Sequence, residues 1–173
     1  MDGAVVPGAR LSVDPAASDT VLPAGLHLQV VVTADDPVAR RLSAALADQA
    51  RNSGIDVVRR TSSSDGAERD LQAATDAAPD VVVALGAGVV DALDRVSSQN
   101  LAQQYLVLGA QLPEPTDNVT AVVWDGATSR GSAASPDGPL SATVTGATAS
   151  DAVRVGLARV LADDSGVVLD LTG

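Results

Sequence analysis

Three short apolar runs standing close together constrain this chain more than any other feature. They are Pro79-Asp-Val-Val-Val-Ala-Leu-Gly86, Gln104-Tyr-Leu-Val-Leu-Gly109 and Asn118-Val-Thr-Ala-Val-Val-Trp-Asp125. Runs that stay apolar instead of alternating suit strands covered on both faces, as in a parallel sheet. Each ends in a glycine or an acid, where such a sheet presents its carboxyl edge to ligands. The expectation is a binding architecture.

The 173 residues suit one domain with a real core. That core has no Phe, one Trp and one Tyr to draw on, so Val, Leu and Ala carry nearly all the burial. This favours a sheet covered by Ala-rich helices. The formal charge is −11, from 22 acidic residues against 11 basic ones, all of them Arg. Nucleic acid and anionic membranes recruit clustered basic side chains, so neither is an expected partner. The pairs Arg40-Arg41 and Arg59-Arg60 are too isolated to form a basic stripe. Without Cys there is no disulfide and no thiolate chemistry, and a single His argues against zinc. No metal or other cofactor is expected.

No apolar stretch approaches the ~20 residues that span a bilayer. Residues 1–25 show neither the charged start nor the apolar run of a signal peptide. The expectation is therefore a cytosolic protein, or an exported one whose signal has been removed. Pro7, Pro15 and Pro23 among small and polar residues mark 1–25 as a flexible tether.

A single α/β domain is expected over 26–173. Leu26 to Thr33 reads as the first strand, and Asp36-Pro37 opens a helix, with Asp36 as cap and Pro37 at the first position. Val38, Leu42, Ala45, Leu46 and Gln49 give that helix one face for the sheet. Asn52-Ser-Gly54 stops it, and Ile55 to Arg59 forms the second strand. A polar turn from Ser62 to Gly66 leads to a helix carrying Leu71, Ala74 and Ala78. A third helix follows from about Gly88, with Val89, Leu93 and Val96. The alternation predicts a parallel sheet with right-handed crossovers. Residues 111–117 hold two prolines and no helical period. The crossover before the fifth strand therefore lacks a helix, and that strand is expected at an edge or as a variant of the usual winding. Residues 126–139 contain no large apolar side chain and read as a mobile loop. A short strand over 140–144, a helix from Ser150-Asp151 and a strand over 166–171 complete the expectation.

The run Ala78-Pro-Asp-Val-Val-Val-Ala-Leu-Gly-Ala-Gly-Val-Val-Asp-Ala-Leu93 resembles the BMP-type solute-binding lipoproteins, which have the type I periplasmic-binding fold. That family carries an apolar strand, Gly-x-Gly and a helix here, then a strand, a short turn, and a strand ending in an aromatic and Asp. Leu106-Val-Leu-Gly109, Asp117-Asn118-Val119 and Val122-Val-Trp-Asp125 supply those parts. The likeness runs from Leu26 to Asp125, roughly one lobe. It implies a single-lobe, three-layer α/β/α sandwich with a mostly parallel sheet, flavodoxin-like in its winding. Two features depart from the family. Thr33-Ala-Asp-Asp-Pro37 replaces the usual Gly/Asn/Asp-rich ligand loop, and the aromatics that would sandwich a nucleoside base are missing apart from Trp124.

Ala34-Asp-Asp-Pro-Val-Ala-Arg-Arg-Leu42 also resembles a receiver domain of two-component signalling, whose metal-binding acids sit where Asp35 and Asp36 stand. The position of that family's phosphoacceptor is Leu85 here, which excludes phosphorylation at that position.

Gly86-Ala87-Gly88 at a helix start can present backbone N–H groups to a ligand, although it is equally a tight strand-to-helix turn. Trp124-Asp125 sets an aromatic face and a carboxylate at the same edge, or a Trp closing the core beside a solvated Asp. His27 and Tyr105 have no partner cluster, and Asn118-Val-Thr120 matches a glycosylation sequon. Serines abound at 62–64 and 129–135, but Gly-x-Ser-x-Gly is absent and no His stands near them as a base.

The expected site is thus Thr33, Asp35, Gly86, Ala87, Gly88, Gly109, Trp124 and Asp125, in a non-enzyme. It would bind a small polar molecule or a protein partner outside the cytoplasm, with a lipid anchor on a removed signal segment. A cytosolic pseudo-receiver working through protein contacts is the alternative. An enzyme holding phosphate on the Gly86–Gly88 turn is a third reading.

Overall fold

The structure is a computed structural model that describes residues 6–17, 20–34, 36–114, 116–127 and 144–171. Its strands are β1 (Arg10–Ser12), β2 (His27–Thr33), β3 (Asp56–Ser62), β4 (Val81–Leu85), β5 (Tyr105–Leu108), β6 (Val119–Val123) and β7 (Val168–Asp170). Its α-helices are α1 (Pro37–Ser53), α2 (Ala67–Asp76), α3 (Val90–Gln99) and α4 (Gly146–Leu161). The strands form one sheet in the order β1-β7-β6-β5-β4-β2-β3, and every pair is parallel. A three-layer α/β sandwich is therefore what the apolar runs specify.

The central strands explain themselves. All residues of β4, β5 and β6 are buried, as expected where helices or loops cover both faces. Side chains alternate between two cores. Val81, Val83, Leu85, Leu106, Leu108 and Val122 meet α1 and α4 on one face. Val82, Ala84, Tyr105, Val107, Ala121 and Val123 meet α2 and α3 on the other. Helix α1 begins on Asp36, whose carboxylate accepts from the amides of Val38 (2.9 Å) and Ala39 (3.1 Å). It ends at Gly54, which takes the left-handed conformation at φ 66°.

Several expectations change. Residues 10–12 are not part of a flexible tether: they pair with β7, Val13 and Leu22 are buried, and Arg154 donates to the Pro15 carbonyl. Leu11, Val13 and Leu22 are enough apolar anchors to hold the segment on a free sheet edge. The strand ending at Val123 is not an edge, because β7 and then β1 lie beyond it. The helix-free crossover before it is real, and Ala110, Gln111 and Leu112 of that connection are buried against the sheet. Helix α4 starts one turn earlier than expected, at Thr145, whose hydroxyl accepts from the Thr148 amide at 3.1 Å. Residues 128–139 of the proposed loop and 140–143 of the proposed strand lie outside the described residues.

The last crossover departs from the expected hand. In a parallel sheet the hand follows from the direction of the step and the face that carries the helix. Strand β2 steps to β3 through α1, and β6 steps the opposite way to β7 through α4. Both helices lie on the same face, packed on each other. The β6–α4–β7 connection thus has the opposite hand to β2–α1–β3.

Candidate functional site

Parallel pairing brings the last residues of five strands to one edge. Thr33 pairs with Ser62, Val32 with Leu85, Leu85 with Leu108, and Leu108 with Val122. The edge therefore runs Ser62, Thr33, Gly86, Gly109, Trp124. It collects every described residue expected from the sequence, and Asp35 lies outside the described residues.

Gly86 is the pivot. Its φ of 79° with ψ of −178° is open only to glycine, and an added Cβ would stand 2.1 Å from the second carboxylate oxygen of Asp36. The helix cap and the glycine turn are one unit: Asp36 holds the start of α1 and rests against the Gly86 backbone. The N–H of Gly86 is already spent on the Leu108 carbonyl at 2.8 Å. The amides of Ala87 and Gly88 are what the turn can offer a ligand.

Thr33 stands on the α2 face, tight against Gly88, where an added Cβ would meet its hydroxyl oxygen at 2.4 Å. Here a cleft of about 420 Å³ opens, lined by Thr33, Ala34, Thr61, Ser62, Ser63, Ser64 and Gly88. Ser62 donates its hydroxyl to Asp70 on α2. From sequence alone, residues 62–64 belong to a polar turn. The only available signal was three successive serines after a strand, which a turn explains equally well.

Gly109 and Trp124 stand on the other face. Gly109 adopts φ 80°, and an added Cβ there would meet the indole at 3.3 Å and Leu42 and Val38 of α1 at 3.4 Å. Trp124 is 4% exposed within the α1–α4 core, and its indole N–H has no hydrogen-bond partner. Asp125 is exposed just past it. The sheet therefore splits the expected residues into a hydroxyl-lined cleft at Thr33 and Gly88 and a closed apolar rim at Gly109 and Trp124.

Neither resolved pKa shift belongs to this edge. Burial pushes the Tyr105 phenol up at the amino end of β5, with its hydrogen bond to Thr75 opposing. Burial, with Glu114 and Asp91 nearby, raises the Asp94 carboxyl on α3. Among the described residues no three His, Cys, Asp or Glu side chains gather as a metal site would need. Leu85, at the receiver phosphoacceptor position, is fully buried. Asn118 of the sequon is buried too, with its amide nitrogen donating to the carbonyls of Ser97, Asn100 and Gln103.

Residues 27–130 match the model of a family described as ABC transporter substrate-binding protein, PnrA-like. The chain belongs to this family. Its architecture agrees with solved solute-binding proteins. An ABC transporter solute-binding protein from Aeropyrum pernix K1 superposes with a TM-score of 0.51 at 27% identity, over 57% of this chain and 28% of that one. A counterpart from Conexibacter woesei DSM 14684 gives 0.51 at 17% identity, over 59% and 36%. A lipoprotein fragment from Peptoclostridium difficile 630 gives 0.52 at 16%, over 57% and 84%. The chain thus spans about a third of the length of the two solute-binding proteins. No match is found among curated proteins. Over residues 27–130 the chain is thus related to the solute-binding proteins of ABC transporters. No helix among the described residues is long and apolar enough to cross a membrane.

Proposed function

We propose that this chain is a non-catalytic, extracytoplasmic domain that binds a small polar solute at the carboxyl edge of its sheet. The observation that carries this reading is the hydroxyl-lined cleft at Thr33, Thr61, Ser63, Ser64 and Gly88. Hydroxyls and the amides of Ala87 and Gly88 suit neutral, hydroxylated or amine-bearing molecules. No arginine lines the cleft, which disfavours a highly anionic ligand. The open cleft leaves part of any ligand in water, so affinity is micromolar or poorer. A lipid anchor upstream would hold such a domain at the membrane surface.

Amide NMR of the isotope-labelled chain tests this. Ribose, inosine and a neutral amino-sugar are titrated separately, and Ser64→Leu serves as the blocked control. Saturable shifts at Thr33, Ser62–Ser64, Ala87 and Gly88 that vanish in the control are the expected result. Binding that moves only amides of α4 or β1 overturns the site. A protein partner covering the same amides, with no solute bound, replaces the solute by a partner.

A further inference from the structure

We infer that a second site, separate from the strand ends, binds an amphipathic carboxylate in the groove between α1 and the edge strand β3. The groove measures about 680 Å³, in the range of small-molecule sites. Its floor is apolar, built from Leu46, Ala47, Ala50, Ile55 and Val57, and Arg51, neutralised by its ion pair with Asp48, lines the wall at the far end of α1. At one end stand Arg40, in the first turn of α1, and Arg59, in the middle of β3. Arg59 pairs in register with Val30, a residue of the α1–α4 core, so both point to the α1 face.

The charge pattern selects the occupant. Arg10, Arg51, Arg69, Arg95, Arg154 and Arg159 are each held by a carboxylate. Arg41 donates to the Val144 carbonyl and Arg60 to Gln29. Among the described arginines only Arg40 and Arg59 have no such partner, and both line this groove. In a chain of net charge −11, acids are plentiful enough to have paired them. No acidic side chain lines the groove itself.

Two unpaired guanidiniums suit one carboxylate, which they can grip with paired hydrogen bonds. The floor then takes an unbranched hydrocarbon body. From Arg40 to Ala50 the helix offers roughly 15 Å of wall at 1.5 Å per residue. A charged head at one end and an apolar trough beyond it is the shape of an aliphatic carboxylate. Neither a nucleotide nor a sugar would use the trough.

The test titrates octanoate into the labelled chain, with octanol and octylamine as controls. Octanoate should shift amides of α1 from Arg40 to Arg51 and of residues 55–59, and leave Thr33, Ala87 and Gly88 still. Octanol should bind about tenfold more weakly and octylamine not measurably, with octanoate binding weakening in salt. R40Q and R59Q together should weaken octanoate about tenfold, and A47E, which fills the trough with a carboxylate, should abolish it. All three positions are solvent-exposed, so melting of the variants should match the parent. Equal binding of octanol and octanoate, shifts at the strand ends, or no saturable octanoate binding each overturns the inference. An acidic peptide that binds this groove where octanoate does not overturns it in favour of a protein partner. Failure here leaves the cleft at Thr33 and Gly88 untouched, because the two amide sets do not overlap.

Discussion

Replacing Gly86 by Ala is the sharpest test of how the edge is built, because it loads two terms that can be separated. The first is backbone strain. At φ 79° and ψ −178° a side chain is disfavoured by about 1–3 kcal/mol. The second is the cap. The new methyl would lie 2.1 Å from an Asp36 oxygen, so the carboxylate must leave and its bonds to the Val38 and Ala39 amides break. Loss of an Asp cap costs ~1 kcal/mol. Gly86→Ala should therefore destabilise the fold by about 2–4 kcal/mol, or roughly 4–16 °C in Tm for a chain of this size. Asp36→Ala alone should cost ~1 kcal/mol. Once Asp36 is gone, Gly86→Ala has only strain left to add. The double variant should be about as unstable as Gly86→Ala itself, leaving a coupling of ~1 kcal/mol in the cycle. Urea unfolding followed by Trp124 emission measures all four proteins, since this single indole is buried when folded. Far-UV circular dichroism checks that the transition is two-state. Full additivity of the two costs, or a Gly86→Ala penalty below ~0.5 kcal/mol, would refute the coupled cap and turn.

Three further outcomes follow from the same packing. Because the phenol of the single Tyr105 is pushed up by burial, its absorbance titration in the folded chain should lie above the usual value of about 10 and return there in urea. The raised value means that its contribution to stability is complete below pH ~10 and is lost as pH rises through the folded value, so alkali should unfold the chain while Tyr105→Phe removes that dependence. Asn118→Asp turns the donor facing three carbonyls into an acceptor and should cost at least ~3 kcal/mol at pH 7, with part recovered as pH falls towards ~4, because burial against carbonyls makes the folded carboxyl protonate before the unfolded one. Gly156→Ala gains ~1 kcal/mol of helix propensity but drives a methyl to 2.8 Å from Leu106 and 3.0 Å from Val122, an overpacking cost of about 1–3 kcal/mol, so thermal melting should show a net loss of up to ~2 kcal/mol.

Much of the fold was legible because it is written in patterns that depend on local order. Unbroken runs such as Val81–Leu85 and Tyr105–Leu108 declare central parallel strands, and Asp36-Pro37 declares a helix start. What the sequence could not show depends on meetings between distant residues. Arg10–Ser12 looks like tether because a three-residue strand has almost no pattern, and only its pairing with β7 makes it one. The contact between Asp36 and Gly86 joins residues fifty positions apart, and each had a sufficient local reason to exist. Trp124 and Thr33 were both legible as edge residues. That they face opposite sides of the sheet follows from strand parity, which needs the register of β2 against β6 through two intervening strands.

The reversed hand of the last crossover has a physical cause in the connection that precedes it. A helix between β5 and β6 would have covered the α2 face of those strands. Instead the extended segment after Gly109 covers it, burying Ala110 and Leu112. That face needs no further helix. The opposite face of β5 and β6 carries Leu106, Leu108, Val122 and Trp124, and α1 lies over β2 and β4. Without α4 those four side chains would meet water, at a cost of about 1.5–3 kcal/mol for each fully exposed one. This exceeds any local preference for one crossover hand. Gly156 shows how closely α4 was drawn down: the helix lies so near the sheet that a methyl would already touch Leu106 and Val122. The route to α4 runs from Ala127 to Val144, and both of those ends lie by the carboxyl edge, the second held there by Arg41. The demand for cover on one face therefore brings Ala127 and Val144 to the same end of the sheet as the candidate cleft.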